Sequence, residues 1–127
     1  MRILKLTYHG TVLSKKNSKR IIQNPRTGKP LIVSNKSAKA NEDDMIDQFS
    51  TQTLAQENAI KKCKICIQIY EPNRQKRDLD NQATSILDAL VKADVIVNDS
   101  FKCVEEVNVK YAGVDTDDPR AEIAIQY

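Results

Sequence analysis

The chain has 127 residues, 40% of them hydrophobic and 29% charged, with a net charge of +3. That size predicts one domain over residues 1–127, with one modest core and a soluble, globular character. No apolar run is long enough to span a membrane, and Met1-Arg2-Ile3-Leu4-Lys5-Leu6 mixes charge with apolar residues in a way that does not read as a signal peptide. The expectation is a cytoplasmic protein with no membrane partner.

Residues 2–8 read as a strand, and residues 14–30 as a polar, basic loop broken by Asn24, Pro25, Gly28 and Pro30. Leu31-Ile32-Val33 is a short β-favouring run. Residues 41–62 read as a helix, with Asn41 able to cap it and Glu42, Asp43 and Asp44 at the end where the dipole favours negative charge. Met45, Ile46, Phe49 and Leu54 supply its apolar face. Residues 63–70 alternate as a strand, and Glu71-Pro72-Asn73 ends it. Residues 81–93 form the clearest helix, with Ala83, Ile86, Leu87 and Leu90 at helical spacing. Residues 103–111 alternate as a strand, Gly113 to Pro119 turns the chain, and residues 121–127 form a last strand. This order predicts an α+β domain, a mixed β-sheet with two main helices packed on it.

Cys63, Cys66 and Cys103 are an odd number and suggest no disulfide framework. Cys63 and Cys66 match a CxxC spacing. Three positions apart on a strand they face opposite sides, and a structural zinc site would need a second pair of ligands. His9 is alone and reads as structural.

Two basic clusters stand out: Lys15, Lys16, Lys19 and Arg20, then Arg74, Lys76 and Arg77. Such clusters suit a phosphate backbone, although charge alone favours a pair of solvated loops. The second runs directly into Arg77-Asp78-Leu79-Asp80-Asn81, between a strand and a helix. If this segment is still extended, Asp78 and Asp80 project to one side and Leu79 to the core. Two close carboxylates repel unless a cation or a shared proton relieves them. Magnesium prefers oxygen ligands and keeps several waters, which such a pair satisfies. The return through Val95-Ile96-Val97 can bring Asp99 near the other two, giving three carboxylates for one or two ions at a scissile phosphate. The same residues also read as an ordinary helix cap and an ordinary turn.

Residues 77–100, RDLDNQATSILDALVKADVIVNDS, resemble the RusA-type Holliday junction resolvases, small endonucleases of bacteria and phages. The similarity lies in the RDLDN block, the Ile-Leu-Asp-Ala-Leu helix, and Asp99 nineteen positions after Asp80. The preceding strand ending in Glu71-Pro72 is similar too, as is, more loosely, Ser14-Lys15-Lys16-Asn17. The resemblance implies a RusA-like fold and a homodimer that binds four-way junctions. It implies that two opposed strands are nicked symmetrically, with Mg2+ or Mn2+ held at the catalytic residues Asp78, Asp80 and Asp99. The expected DNA-binding residues are Lys15, Lys16, Asn17, Lys19, Arg20, Arg74, Lys76 and Arg77. One position departs: the family pattern has a lysine four residues after the second aspartate, and this chain has Thr84. Lys76, Arg77 or Lys102 is the available substitute. The competing reading is a non-catalytic or weakly active branched-DNA-binding protein of the same fold.

Overall fold

The computed structural model describes residues 1–13, 19–23, 30–34 and 36–127, with side chains described for 1–13 and 37–127. The elements are β1 (Ile3–His9), β2 (Lys19–Gln23), β3 (Pro30–Ser34), α1 (Lys36–Gln52), β4 (Cys63–Glu71), α2 (Leu79–Lys92), β5 (Val104–Val114) and β6 (Arg120–Gln126). A four-stranded sheet has the order β1-β6-β4-β5, and β2 and β3 form a separate antiparallel pair. β4 runs parallel to β5 and antiparallel to β6, so the sheet is mixed. A parallel neighbour requires a crossover, and α2 supplies it.

The alternation in β4 explains the core. Cys63, Ile65, Ile67 and Ile69 are buried on one face, while Lys64, Cys66 and Gln68 are exposed on the other. Met45 and Phe49 of α1 and Ile86, Ala89 and Leu90 of α2 cover the apolar face. Cys63 and Cys103 are buried free thiols and Cys66 is exposed, so the two cysteines of the CxxC spacing do face apart.

The larger differences from the sequence reading lie before β4. The stretch read as a loop contains β2, whose five residues take their partners from β3. The first helix starts at Lys36 and stops at Gln52, and Leu54 is 83% exposed. Asn41 therefore lies inside α1 and caps nothing. Its side chain instead ties the chain after β1: Oδ1 accepts from Leu13 N at 3.1 Å, and Nδ2 donates to Thr11 O at 2.7 Å and Tyr8 Oη at 2.9 Å. After Gln52 the chain must return to the sheet, where Ile60 forms a parallel bridge with Ile96. Thr51 and Thr53 assist the exit by spending their hydroxyls on the carbonyls of Asp47 and Phe49.

α1 also closes one edge of the sheet. Gln52 exchanges two hydrogen bonds with the backbone of Thr7, at 2.9 and 2.7 Å, and Gln48 does the same with His9, at 2.8 and 3.0 Å. Side-chain amides thus occupy the outer edge of β1 as a neighbouring strand would.

Candidate active site

The site begins where β4 ends. Glu71, the last residue of β4, is only 5% exposed, and its carboxylate is held from two sides. Arg77 Nη1 donates to it at 2.8 Å, and Gln82 Nε2 of α2 donates to it at 2.7 Å. Gln82, fully buried, also donates to Val12 O at 2.9 Å. A buried carboxylate without such partners would be costly, so the network fixes the corner between β4 and α2. Sequence reading missed this arrangement. Its only trace was a Glu ending a strand that was otherwise apolar on that face.

The corner sets the start of α2. Asp78 is the N-cap residue, extended at φ −83° and ψ 118°, and its carboxylate makes no capping bond to the helix backbone. Asn81 Nδ2 donates to Asp78 Oδ2 at 3.3 Å. Asp80 lies in the first helical turn. The two aspartates are therefore not a strand-face pair, as the extended reading had them: Asp78 precedes the helix and Asp80 is already in it. Leu79 does pack against the core, as expected. Asp78 and Asp80 are both exposed, and no other described side chain binds Asp80. Both stand at the positive end of the α2 dipole, which favours negative charge there.

Arg74 and Lys76 are exposed on the connecting segment and line a cleft of about 280 Å³ with Asn73, Leu79 and Tyr111. Tyr111 is 52% exposed. Arg77 is different. Its side chain is 15% exposed and committed to Glu71, so the fold uses it as a brace and not as an open phosphate contact. Thr84 donates its hydroxyl to Asp80 O at 3.0 Å, one turn back along α2. Lys76 is an exposed lysine of the connecting segment at this end of the sheet.

Asp99 is elsewhere. α2 runs the length of the sheet, about 21 Å for its fourteen residues. The chain then meets Ile60, just before β4 begins. Ser100 O accepts from the amides of Cys103 and Val104 at the start of β5, and Cys103 O accepts from Cys63 N. Asp99 is thus at the opening end of β4 and β5, while Asp78 and Asp80 are at the closing end of β4. In keeping with this, no group of three or more His, Cys, Asp or Glu among the described residues could hold a metal ion. The convergence expected within one chain is prevented by the crossover. The turn at Asp99 is made by its neighbour: Asn98 Oδ1 accepts from Ser100 N and Oγ, which leaves the exposed Asp99 carboxylate unengaged among the described residues. Lys102 is exposed at the same end. Lys15, Lys16 and Asn17 lie outside the described residues. Lys19 and Arg20 are placed in β2, but their side chains are outside the description.

Two exposed carboxylates thus stand at the mouth of α2, Asp78 bonded by Asn81 alone and Asp80 by no described side chain, with exposed cations on the segment beside them and an α+β sheet behind them. The family model described as Endodeoxyribonuclease RusA matches residues 26–126, and the chain belongs to that family of junction-resolving endodeoxyribonucleases. A search of curated proteins gave no match. No helix among the described residues is long and apolar enough to cross a membrane.

Proposed function

We propose that this protein is a magnesium-dependent endonuclease that resolves Holliday junctions or related branched DNA by paired nicking, acting as a homodimer. The observation that carries the proposal is Asp78. It occupies a capping position and does not cap, its one partner is the Asn81 amide at 3.3 Å, and Asp80 beside it is bonded by no described side chain, so two carboxylates are left facing solvent. A structural cap would have spent the carboxylate on a backbone N–H.

These residues fit a hard divalent ion, which is commonly held by one or two carboxylates with water and substrate phosphate completing the shell. When bound, such an ion lowers the pKa of an attacking water and offsets charge on the leaving oxygen. The chain supplies the rest. Asp78 and Asp80 hold the ion, and the buried Glu71–Arg77–Gln82 network keeps the helix mouth in place. Arg74 and Lys76 take the phosphate backbone, with Lys15, Lys16, Asn17, Lys19 and Arg20 as further contacts. Lys76 stands in for the cation that Thr84 does not provide. Asp99, at the far end of the sheet, reaches such an ion only from a second copy. That requirement and the two-fold character of a four-way junction both favour a closed dimer.

The test is a labelled four-way junction with and without magnesium. Asp78→Asn, Asp80→Asn and Asp99→Asn should each cut at least about 100-fold more slowly, because even indirect supports of a metal site cost 10- to 100-fold. Binding of the junction should persist or tighten, since each change removes a negative charge facing phosphate. Wild-type cutting by any one variant removes that residue from the site. Tight binding without cutting by the unaltered protein would favour the non-catalytic reading that Thr84 suggests.

A further inference from the structure

We propose that the cleft beside Asp78 is a nucleobase pocket: it takes one base lifted out of the DNA next to the scissile phosphate, stacks it on Tyr111 and reads it with the side-chain amides of Asn73 and Gln75.

The cleft holds about 280 Å³ and is lined by Asn73, Arg74, Gln75, Lys76, Leu79 and Tyr111. Arg77 and Leu79, the residues on either side of Asp78, both line it, so it adjoins the carboxylates at the helix mouth. Pockets for drug-sized molecules begin at about 300 Å³. The cleft therefore suits one small planar ring system and not a base pair.

Its wall carries an aromatic ring that the core leaves open. Tyr111 is the β5 neighbour of Ile69; Ile69 is 1% exposed and Tyr111 is 52% exposed. An open aromatic face flanked by cations is the usual platform for an unstacked base. A base must leave its helix to reach it, and that costs least where pairing is already interrupted, as at a branch point.

The polar groups of the cleft have a fixed sense. Arg77, held by the buried Glu71, donates from Nη1 to Asn73 Oδ1 and from Nη2 to Gln75 Oε1, both at 3.4 Å. Gln75 N also donates to Asn73 Oδ1, at 2.9 Å. A guanidinium has no acceptor, so the atoms that face it are the amide oxygens. The two NH2 groups are the ends left over, and neither has a partner among the described residues. Two donors call for two acceptors. Guanine offers O6 and N7 side by side, and cytosine offers O2 and N3. Adenine sets a donor beside an acceptor on both its Watson–Crick and its Hoogsteen edge. The pocket therefore favours guanine or cytosine over adenine. Arg74 and Lys76, exposed at the rim, hold the phosphates that flank the base. The choice of DNA as the ligand rests on the proposed junction-cutting reading.

The experiment uses the full chain and four-way junctions that differ only in the base pair next to the mapped cut. Binding is read without metal and cutting with magnesium. The unaltered protein should prefer guanine or cytosine over adenine by about tenfold, the size of one good bidentate contact. Gln75→Glu and Asn73→Asp keep an oxygen for Arg77 and turn the free donor into an acceptor, so the preference should shrink or reverse within each variant. Tyr111→Ser should weaken binding about tenfold whatever the base, with melting temperature and sedimenting mass unchanged, and Tyr111→Trp should bind like the unaltered protein. Mispairing the preferred base should tighten binding, because less has to be opened. Free deoxyguanosine or deoxycytidine monophosphate should not compete at millimolar concentration. The proposal is overturned by a base preference that neither amide variant moves, by binding indifferent to mispairing, by a changed sedimenting mass in Tyr111→Ser, or by competition from the free mononucleotides. Cutting with no base preference at any position overturns it too, and leaves the nuclease reading standing. A preference in binding that the amide variants move, in a protein that cuts no junction, would reject the nuclease reading and leave the pocket.

Discussion

Arg77 stands beside the two aspartates in sequence and reads like part of a basic patch, yet its guanidinium is buried against Glu71. Removing one member of a buried pair strands the other, which costs about 3 kcal/mol or more. Arg77→Ala should therefore lower the unfolding free energy by about that amount, read as a lower urea midpoint at unchanged slope, and weaken cutting through a displaced helix mouth. Loss of DNA affinity with unchanged stability would return Arg77 to the phosphate contacts. A second residue sets the alkaline limit. Burial, with help from Asp44, pushes the Tyr8 phenol from its ordinary 10.0 up to about 12. The folded state holds this proton more tightly than the unfolded chain, so the stabilisation is complete below pH 10 and is lost as pH rises through 12. Burial, together with Cys103, raises the Cys63 thiol from 9.0 to about 11, which acts in the same direction from pH 9 upward. Chemical denaturation from pH 9 to 12 should show a falling midpoint. Tyr8→Phe should flatten the upper part of that fall and leave the Cys63 part.

At the scale of elements, α1 does two jobs with two faces. Met45 and Phe49 enter the core, and Gln48 and Gln52 close the β1 edge. Replacing both glutamines with alanine leaves the core face untouched. It should cost about 1–2 kcal/mol, as these hydrogen bonds are solvent-accessible, and should raise aggregation on storage, because a bare edge is exposed. A loss of stability without aggregation would mean that the glutamines bind the strand but do not shield it. The elements also mark what could be read in advance. β4 and α2 were legible because Ile65, Ile67 and Ile69 alternate and Ala83, Ile86 and Leu90 keep helical spacing. β2 was not, because Lys19-Arg20-Ile21-Ile22-Gln23 is short and set among turn residues. The start of α1 was missed because Lys36 to Ala40 carries little apolar signal and Asn41 resembles a cap. Its true partners, Tyr8, Thr11 and Leu13, are distant in sequence.

For the whole molecule, the governing fact is the parallel β4–β5 pair. A crossover helix returns the chain to the end from which β4 set out, so residues flanking α2 are driven to opposite ends of the sheet. Sequence spacing identified Asp78, Asp80 and Asp99 as candidates and could not reveal this separation, which depends on strand direction. Nor could it tell a capping aspartate from an idle one, since that depends on which way the Asp78 carboxylate turns. The helix mouth and its neighbouring cations were legible; the distance to Asp99 was not.

The place of β6 bears on how this protein comes into being. β6 is the last strand of the fold to leave the ribosome, yet it lies between β1 and β4. Until residues 120–126 emerge, β1 and β4 have no common neighbour, and Ile65, Ile67 and Ile69 wait without the Ala121, Ile123 and Ile125 that adjoin them. The β1–β6 and β4–β6 ladders therefore cannot form until residues 120–126 have been made. The sheet closes through contacts that span nearly the whole chain, a topology that slows folding and prolongs exposure of apolar strands. Ribosome-bound chains carrying residues 1–119 should remain protease-sensitive throughout, and protection should appear in one step once residue 126 has cleared the exit tunnel. Gradual protection before that point would show that β1, β4 and the helices form a stable unit on their own.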